Sequence, residues 1–346
     1  MYHAAAYFSE VSPTPFRQSL MADALKVYKA LADATRLRLV RLLGRGGLSV
    51  NEIIEVLQMG QSRISRHLKI LAEAGLVKSR REGTWSYYQA DQESEDPLLA
   101  EVLALLQRHE QELPGAEADL QALEGVVERR KARTRRFFDS IRDPREFPQH
   151  QSLDGAFYRQ AVLALLPQEC GVTLDLGTGV GLLLPALQER ATRVIAVDSS
   201  TAMLDLARQT AGLQGGRCEF RLGDLEHLPV ADGEVDTAVA CMVLHHLSDP
   251  SKALAEAHRA LREGGELVIV DLHQHQDESL RQSMADLWLG FRPDEVKGWL
   301  RKLGFELAEA RIVSGTDPLK LITFRGRKSW RRTPAAKPAK AKRTIR

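Results

Sequence analysis

One stretch constrains the fold more than any other: Leu174-Asp-Leu-Gly-Thr-Gly-Val-Gly181. It closes a β-branched run, Val172–Leu176, and leads into a helical pattern, so a strand turns there directly into a helix. Glycines at 177, 179 and 181 remove Cβ atoms where backbone must approach a ligand. The helix amino terminus behind them offers free N–H groups to a carboxylate or phosphate. Asp198 ends the next run, where an acid accepts both hydroxyls of a ribose. Such a turn alone suits a nicotinamide enzyme equally well, but four details point elsewhere. The spacing is G-x-G-x-G. Asp175 lies two residues before the first glycine, where a carboxylate can hold an ammonium group. Asp224, in Leu222-Gly-Asp-Leu225, ends the third run, in place for an adenine amino group. A carboxy-terminal hairpin closes the sheet.

Around that turn, short β-branched runs alternate with helical stretches. Val172–Leu176, Arg193–Val197, Cys218–Leu222, Thr237–Cys241 and Leu267–Val270 predict a mostly parallel sheet with helices on both faces. Glu306–Val313 and Leu319–Phe324, split by a Gly-Thr-Asp-Pro turn, predict an antiparallel hairpin.

The amino-terminal part of the chain has a different texture. Residues 1–18 read as a loose arm. Helical stripes follow: Leu20, Ala24, Val27 and Leu31; then Ala34–Leu43; then Val50–Leu57. The turn Gln58-Met59-Gly60 leads to a helix over Ser62–Ala74, and Val77–Arg81 and Trp85–Gln89 read as a hairpin. In the Ser62–Ala74 helix, Ile64, Leu68 and Leu71 form the inward stripe. The opposite side carries Gln61, Ser62, Arg63, Ser65, Arg66 and Lys69, with His67 beside them; these side chains bond phosphates and base edges. Arg80 and Arg81 lie where a hairpin wing passes a DNA backbone. Gln61–Glu82 holds six Lys or Arg against two acids. Further helices are predicted from Pro97, where Leu99, Leu103 and Leu106 make a stripe joined by Leu98 and Val102, and over Ala116–Phe138.

Leu31-Ala-Asp-Ala-Thr-Arg-Leu-Arg-Leu39, Gln61-Ser-Arg-Ile-Ser-Arg-His-Leu-Lys-Ile-Leu71 and Ala74-Gly-Leu-Val77 resemble the ArsR/SmtB winged-helix repressors over about residues 20–110. The resemblance implies a homodimer on palindromic double-stranded operator DNA, paired through the first helix and the one after the wing. The stripes Leu20–Leu31 and Leu98–Leu106 sit where it puts that seam. The chain departs from the family's metal sensors: Leu48–Leu57 holds no Cys or His, and His109 with Glu112 is half of a zinc pair, so no metal site is expected. The glycine turn, together with Ala240-Cys-Met-Val-Leu-His-His-Leu-Ser-Asp-Pro250 and Leu261-Arg-Glu-Gly-Gly-Glu-Leu-Val-Ile269, resembles the class I S-adenosylmethionine-dependent methyltransferases over about 150–325. That likeness implies a seven-stranded sheet with an antiparallel last strand. It assigns Asp175 to the methionine moiety, Asp198 to the ribose, and Asp224 with the Leu225 backbone to the adenine of S-adenosylmethionine or S-adenosylhomocysteine.

The expected fold is therefore multidomain: an α-rich winged helix-turn-helix with a β-hairpin wing, plus an α/β Rossmann-like class I methyltransferase domain. The expected division is an arm at 1–18, a DNA-binding and dimerisation domain at 19–112, a helical linker at 113–148, the ligand-binding domain at 149–327, and a disordered basic tail at 328–346. The tail holds eight Lys or Arg and no acid, which suits either phosphate contacts or simple solubilisation. Three scattered cysteines without a C-x-x-C pair fit a reducing compartment. With no signal peptide and no apolar run long enough to span a bilayer, the expectation is a cytoplasmic, nucleoid-associated protein off the membrane.

Two functions stand open. In one, ligand in the carboxy-terminal domain shifts operator affinity; fusions of these families include S-adenosylhomocysteine-responsive regulators of methionine-cycle genes, which the whole chain resembles. In the other, that domain is a working small-molecule methyltransferase. His245 and His246, just past the fourth strand, are candidates for a general base or for pocket-shaping residues. No Asn-Pro-Pro-Tyr signature marks a DNA methyltransferase, and the cysteines are too few and too strand-bound for arsenite methylation.

Overall fold

The computed structural model describes residues 15–82, 85–92, 94, 96–113, 115–143, 155–212, 217–315 and 318–329, with side chains from residue 23 onward. The chain divides into two compact units, one essentially Met1–Arg133 and the other Thr134–His275 with Ser279–Arg346. The division falls inside the segment read as a linker. The Gly83-Thr84 hairpin tip, the stretch around Pro144 and Pro148, and the basic tail from 330 lie outside the described residues.

In the first unit, α1 (Pro15–Leu31) starts earlier than the periodicity suggests. Pro15 supplies a φ suited to the first helical turn and no N–H that would need a partner there. Helices α2 (Ala34–Leu43), α3 (Val50–Leu57) and α4 (Gln61–Glu73) follow. Asp33 caps α2 by accepting from the Arg36 N–H, and Ser49 with Glu52 forms a capping box on α3. Gln58 takes a left-handed conformation at φ 53°, which turns the chain from α3 into α4. Leu39, Leu42, Ile53, Ile64, Leu68 and Leu71 are all fully buried in one core.

The wing has three strands, not two. Strand β1 (Leu48–Ser49) pairs antiparallel with β3 (Trp85–Ala90), which pairs with β2 (Val77–Glu82), in the order β1-β3-β2. A strand as short as β1 has no periodicity of its own. Helix α5 (Pro97–Arg108) is capped by Asp96, and α6 (Ala116–Ser140) gives Leu123 and Val126 to this core.

The second unit is built on β4 (Gly171–Leu176), β5 (Ala191–Asp198), β6 (Cys218–Leu222), β7 (Val235–Cys241), β8 (Leu261–Leu272), β9 (Phe305–Ser314) and β10 (Lys320–Lys328). Their order is β6-β5-β4-β7-β8-β10-β9. The five strands β4 to β8 run parallel, and β10 is antiparallel to both β8 and β9. The hydrophobic runs match because strands covered on both faces are apolar nearly throughout. Val194, Ile195, Ala196 and Val197 are all fully buried. Helices α7 (Gly155–Leu165), α8 (Leu184–Arg190), α9 (Thr201–Ala211), α10 (Pro250–Ala260), α11 (Leu280–Ser283) and α12 (Pro293–Leu303) complete the unit. No described helix is long and apolar enough to cross a membrane. The strand order reverses at β4, with β5 on one side and β7 on the other, and crevices at such reversals hold ligands at the carboxyl ends of the strands.

Candidate functional site

The carboxyl ends of β4, β5 and β6 bring the first set of candidate residues together. After β4, Gly177, Gly179 and Gly181 take φ of 69°, 53° and 79°, all left-handed. At Gly177 a Cβ would lie 2.3 Å from the Val243 methyl, and at Gly181 it would press on Ala207, so side chains are excluded on steric grounds as well. The Gly177 and Thr178 N–H groups both donate to the Val197 carbonyl, tying the turn to β5. Asp198, at the end of β5, accepts from the Gly179 N–H and the Ser200 N–H, each at 2.9 Å. Its other neighbour is the β6 end, where the Gly223 N–H donates to the Asp198 carbonyl. Asp224 accepts from the Glu226 N–H at 2.9 Å and keeps about a third of its side chain exposed. Leu225 beside it is buried.

Asp175 is 2% exposed, and its Oδ2 has no hydrogen-bond partner among the described residues. Burial, reinforced by the Asp198 charge, pushes its carboxyl up to about 6. A sealed carboxylate oxygen beside a side-chain-free cradle fits an ammonium-bearing nucleotide ligand such as S-adenosylmethionine. Burial likewise pushes Asp198 up to about 6, against the pull of its backbone donors.

These shifts have a sign. The native Asp175 carboxyl keeps its proton to higher pH than the unfolded one, so the unfolded state ionises first and stability falls as pH rises from about 4 to about 6. Two pKa units correspond to about 3 kcal/mol. Asp175→Asn removes the buried charge. Its stability relative to wild type, in the absence of ligand, is therefore higher at pH 7.5 than at pH 4.5 by about 2 kcal/mol, part of the full effect being already present at pH 4.5. Urea unfolding at the two pH values measures this; an equal difference at both contradicts it.

Sequence reasoning missed part of this site. The last turn of α6 carries Phe137, Phe138 and Asp139, and Phe137 and Phe138 pack with Val180, Met203 and Leu206. Asp139 accepts from the Ser200 hydroxyl at 2.5 Å, and the Phe138 ring stands edge-on to His246 at 5.0 Å. A basic run, Arg129–Arg136, precedes these residues and makes the segment read as a solvated connector. Within that run Arg130 is bound by Glu52 and the Gly47 carbonyl, and Arg129 pairs with Glu55.

His245 and His246 sit in a single 3-10 turn after β7. His245 is sealed from solvent with Nδ1 2.6 Å from Asp271 Oδ1. Burial alone would lower its pKa, but the Asp271 and Asp286 carboxylates push it up to about 9. Neither its burial nor its charge suits a base waiting for an acceptor.

The DNA-reading candidates divide. Gln61, Ser62, Arg63, Ser65, Arg66 and Lys69 all lie exposed on α4. His67 does not join them: it is buried, with Nδ1 3.8 Å from Asp33 Oδ1, and burial lowers its pKa. Arg81 is exposed, whereas Arg80 lies against the fully buried Glu82 at 2.7 Å. His109 and Glu112 form an exposed pair at 3.0 Å.

A family model described as "Bacterial regulatory protein, arsR family" matches residues 33–79, and one described as "Methyltransferase domain" matches 174–269. The arsenical resistance operon repressor of Bacillus subtilis is 42% identical over 82 residues, 23% of this chain and 78% of that protein. An uncharacterized methyltransferase of Mycobacterium bovis is 35% identical over 149 residues, 42% of this chain and 50% of that protein. An uncharacterized 37.1 kDa protein in transposon TN4556 of Streptomyces fradiae is 43% identical over 117 residues, 32% of this chain and 33% of that protein. The chain thus spans a third to a half of the length of the latter two relatives.

Proposed function

Because the chain belongs to the arsR family of bacterial regulatory proteins and carries a methyltransferase domain behind its DNA-binding unit, we propose that it is a homodimeric, ligand-responsive transcription regulator. S-adenosylhomocysteine or S-adenosylmethionine occupies the glycine turn, Asp175, Asp198 and Asp224, and that occupancy sets affinity for double-stranded operator DNA. S-adenosylhomocysteine binds the more tightly and loosens the protein from its operator, and genes of the methionine cycle are the natural targets. The arsenical in the name of the Bacillus relative does not transfer, since all three cysteines here lie in the methyltransferase unit.

The observation that carries the reading is the composition of α6. Its first part supplies Leu123 and Val126 to the winged-helix core and Arg130 to Glu52. Its last turn supplies Asp139 to Ser200, two residues from the ribose carboxylate of the proposed ligand site. A ligand shifts an equilibrium only through differential affinity for two states, and a helix shared by both units is an element on which both binding events act.

Dimer formation is supported by the exposure pattern. Val27, Leu99 and Leu103 are buried within the unit, Leu31, Leu98, Val102 and Leu106 pack partly against the same core, and the Leu20 side chain is outside the described residues. The outward apolar side chains are Leu25, Tyr28 and Leu105, each at least half exposed, on the two helices the resemblance assigns to the seam.

Operator affinity with no ligand, with S-adenosylmethionine and with S-adenosylhomocysteine tests the proposal. Ligand-independent affinity accompanied by steady methyl transfer to a small acceptor would replace it with the enzyme reading. On the DNA side, Arg63→Ala and Arg66→Ala each weaken specific operator binding by about 1–3 kcal/mol if the residue reads a base. Electrophoretic titration against operator and scrambled DNA checks this; an unchanged operator affinity in both variants contradicts the assignment of α4.

A further inference from the structure

Two segments far apart in sequence meet behind β7: the turn Leu244–His246 and the loop Met284–Asp286 following α11. We propose that His245 Nε2, His246 Nδ1 and the Asp286 carboxylate bind one divalent transition-metal ion of the zinc class. This centre does not depend on the nucleotide reading of the glycine turn.

The distances suit an ion. The three ligand atoms all lie within 4.8 Å of one another. His245 Nε2 and His246 Nδ1 stand 3.8 and 3.7 Å from Asp286 Oδ1. Those separations are too long for direct hydrogen bonds. They approach the roughly 3.4 Å between neighbouring ligand atoms of a tetrahedral ion with bonds of about 2.1 Å. The side chains of His245 and Asp286 are fully buried and that of His246 is 10% exposed. A carboxylate oxygen facing two imidazole nitrogens is a ligand set that such an ion accepts. Two nitrogens and one carboxylate favour zinc, cobalt or nickel over magnesium or calcium, which prefer all-oxygen sets.

The surroundings orient the ligands. Asp271 takes His245 Nδ1 at 2.6 Å, while its two oxygens also accept the Leu244 and Leu272 N–H groups at 2.8 and 2.7 Å. A carboxylate fixed on Nδ1 holds a proton there and leaves Nε2 on the Asp286 side, so that an ion binds by displacing the Nε2 proton; this is the outer-shell arrangement typical of metal-bound histidine. The loop bearing Asp286 hangs on the histidine turn. The Leu287 and Trp288 N–H groups both donate to the His245 carbonyl at 3.0 Å, and Trp288 Nε1 donates to the Leu247 carbonyl at 2.8 Å. Ala285, immediately before Asp286, is held at φ 58°, a left-handed conformation that a residue with a Cβ rarely adopts.

The test uses the full-length, tag-free protein, stripped with a chelator and titrated with cobalt(II) while visible absorption is recorded. The expected result is saturation at one cobalt per chain with the intense bands of a four- or five-coordinate ion, displaced by zinc. His246→Ala and the isosteric Asp286→Asn each lower cobalt affinity by roughly 100-fold or more, and His227→Ala, a surface histidine, leaves it unchanged. X-ray absorption of the zinc-loaded wild type, which needs no variant to fold, shows two imidazole shells. Three results overturn the proposal: a wild type that takes up no metal and holds the pair by protons instead, cobalt binding that survives both variants, or zinc without imidazole scattering.

Discussion

Asp198→Ala abolishes the response of operator binding to S-adenosylhomocysteine and leaves ligand-free operator affinity within about twofold of wild type. Asp198 receives the Gly179 and Ser200 N–H groups on separate oxygens, which fixes the carboxylate at the carboxyl end of β5, against the glycine turn. A ribose offers it two hydroxyls, and a hydrogen bond to a charged group contributes about 1.5–3 kcal/mol. Losing two of them weakens the ligand by roughly 100-fold or more. Asp198→Asn keeps the backbone contacts through one oxygen and weakens ligand less. Calorimetry of ligand binding with anisotropy of labelled operator reads both effects. A variant that binds and responds like wild type would sink the assignment of this site.

The double variant Leu25→Asp, Tyr28→Asp is monomeric and loses operator binding by roughly 100-fold or more, with its thermal stability little changed. Both side chains point outward on α1, 52% and 57% exposed, so carboxylates there cost the isolated unit little. In a dimer seam the same charges would face their symmetry mates in a desolvated patch. Losing the seam separates the two reading helices, and two half-sites bound as one exceed a single half-site by factors of about 10²–10⁴ through effective concentration alone. Sedimentation and operator titration check the two consequences. A dimeric variant with full affinity would move the seam elsewhere.

The parts of this account legible in the sequence are those set by local chemistry. The parallel strands announce themselves as β-branched runs, and the glycines as a turn that tolerates no side chain; Gly177 has no room for a Cβ beside Val243. Asp175 lines β4, Asp198 ends β5 and Asp224 follows β6 by two residues, so the apolar run before each one places it. His67 is within reach too: with Ile64, Leu68 and Leu71 it completes an i, i+3, i+4, i+7 stripe, and counting polarity alone puts it on the wrong side of the helix. Arg80 sits two residues from Glu82 on one face of a strand, but nothing in the sequence says that this glutamate is sealed. What stays hidden depends on long-range placement. Phe138 and Asp139 follow a basic run and look like connector. Asp286 is separated from His246 by α10 and the whole of β8, so no spacing rule joins them.

The proposed regulator links ligand and operator through a coupling free energy, and such coupling is reciprocal. The most direct measurement is therefore the affinity of full-length protein for S-adenosylhomocysteine, taken once free and once saturated with operator DNA. The expected result is that operator lowers this affinity by a factor between roughly 5 and 150, matched within error by the factor by which S-adenosylhomocysteine lowers operator affinity. The same affinity in both states would contradict it, however tightly the ligand binds.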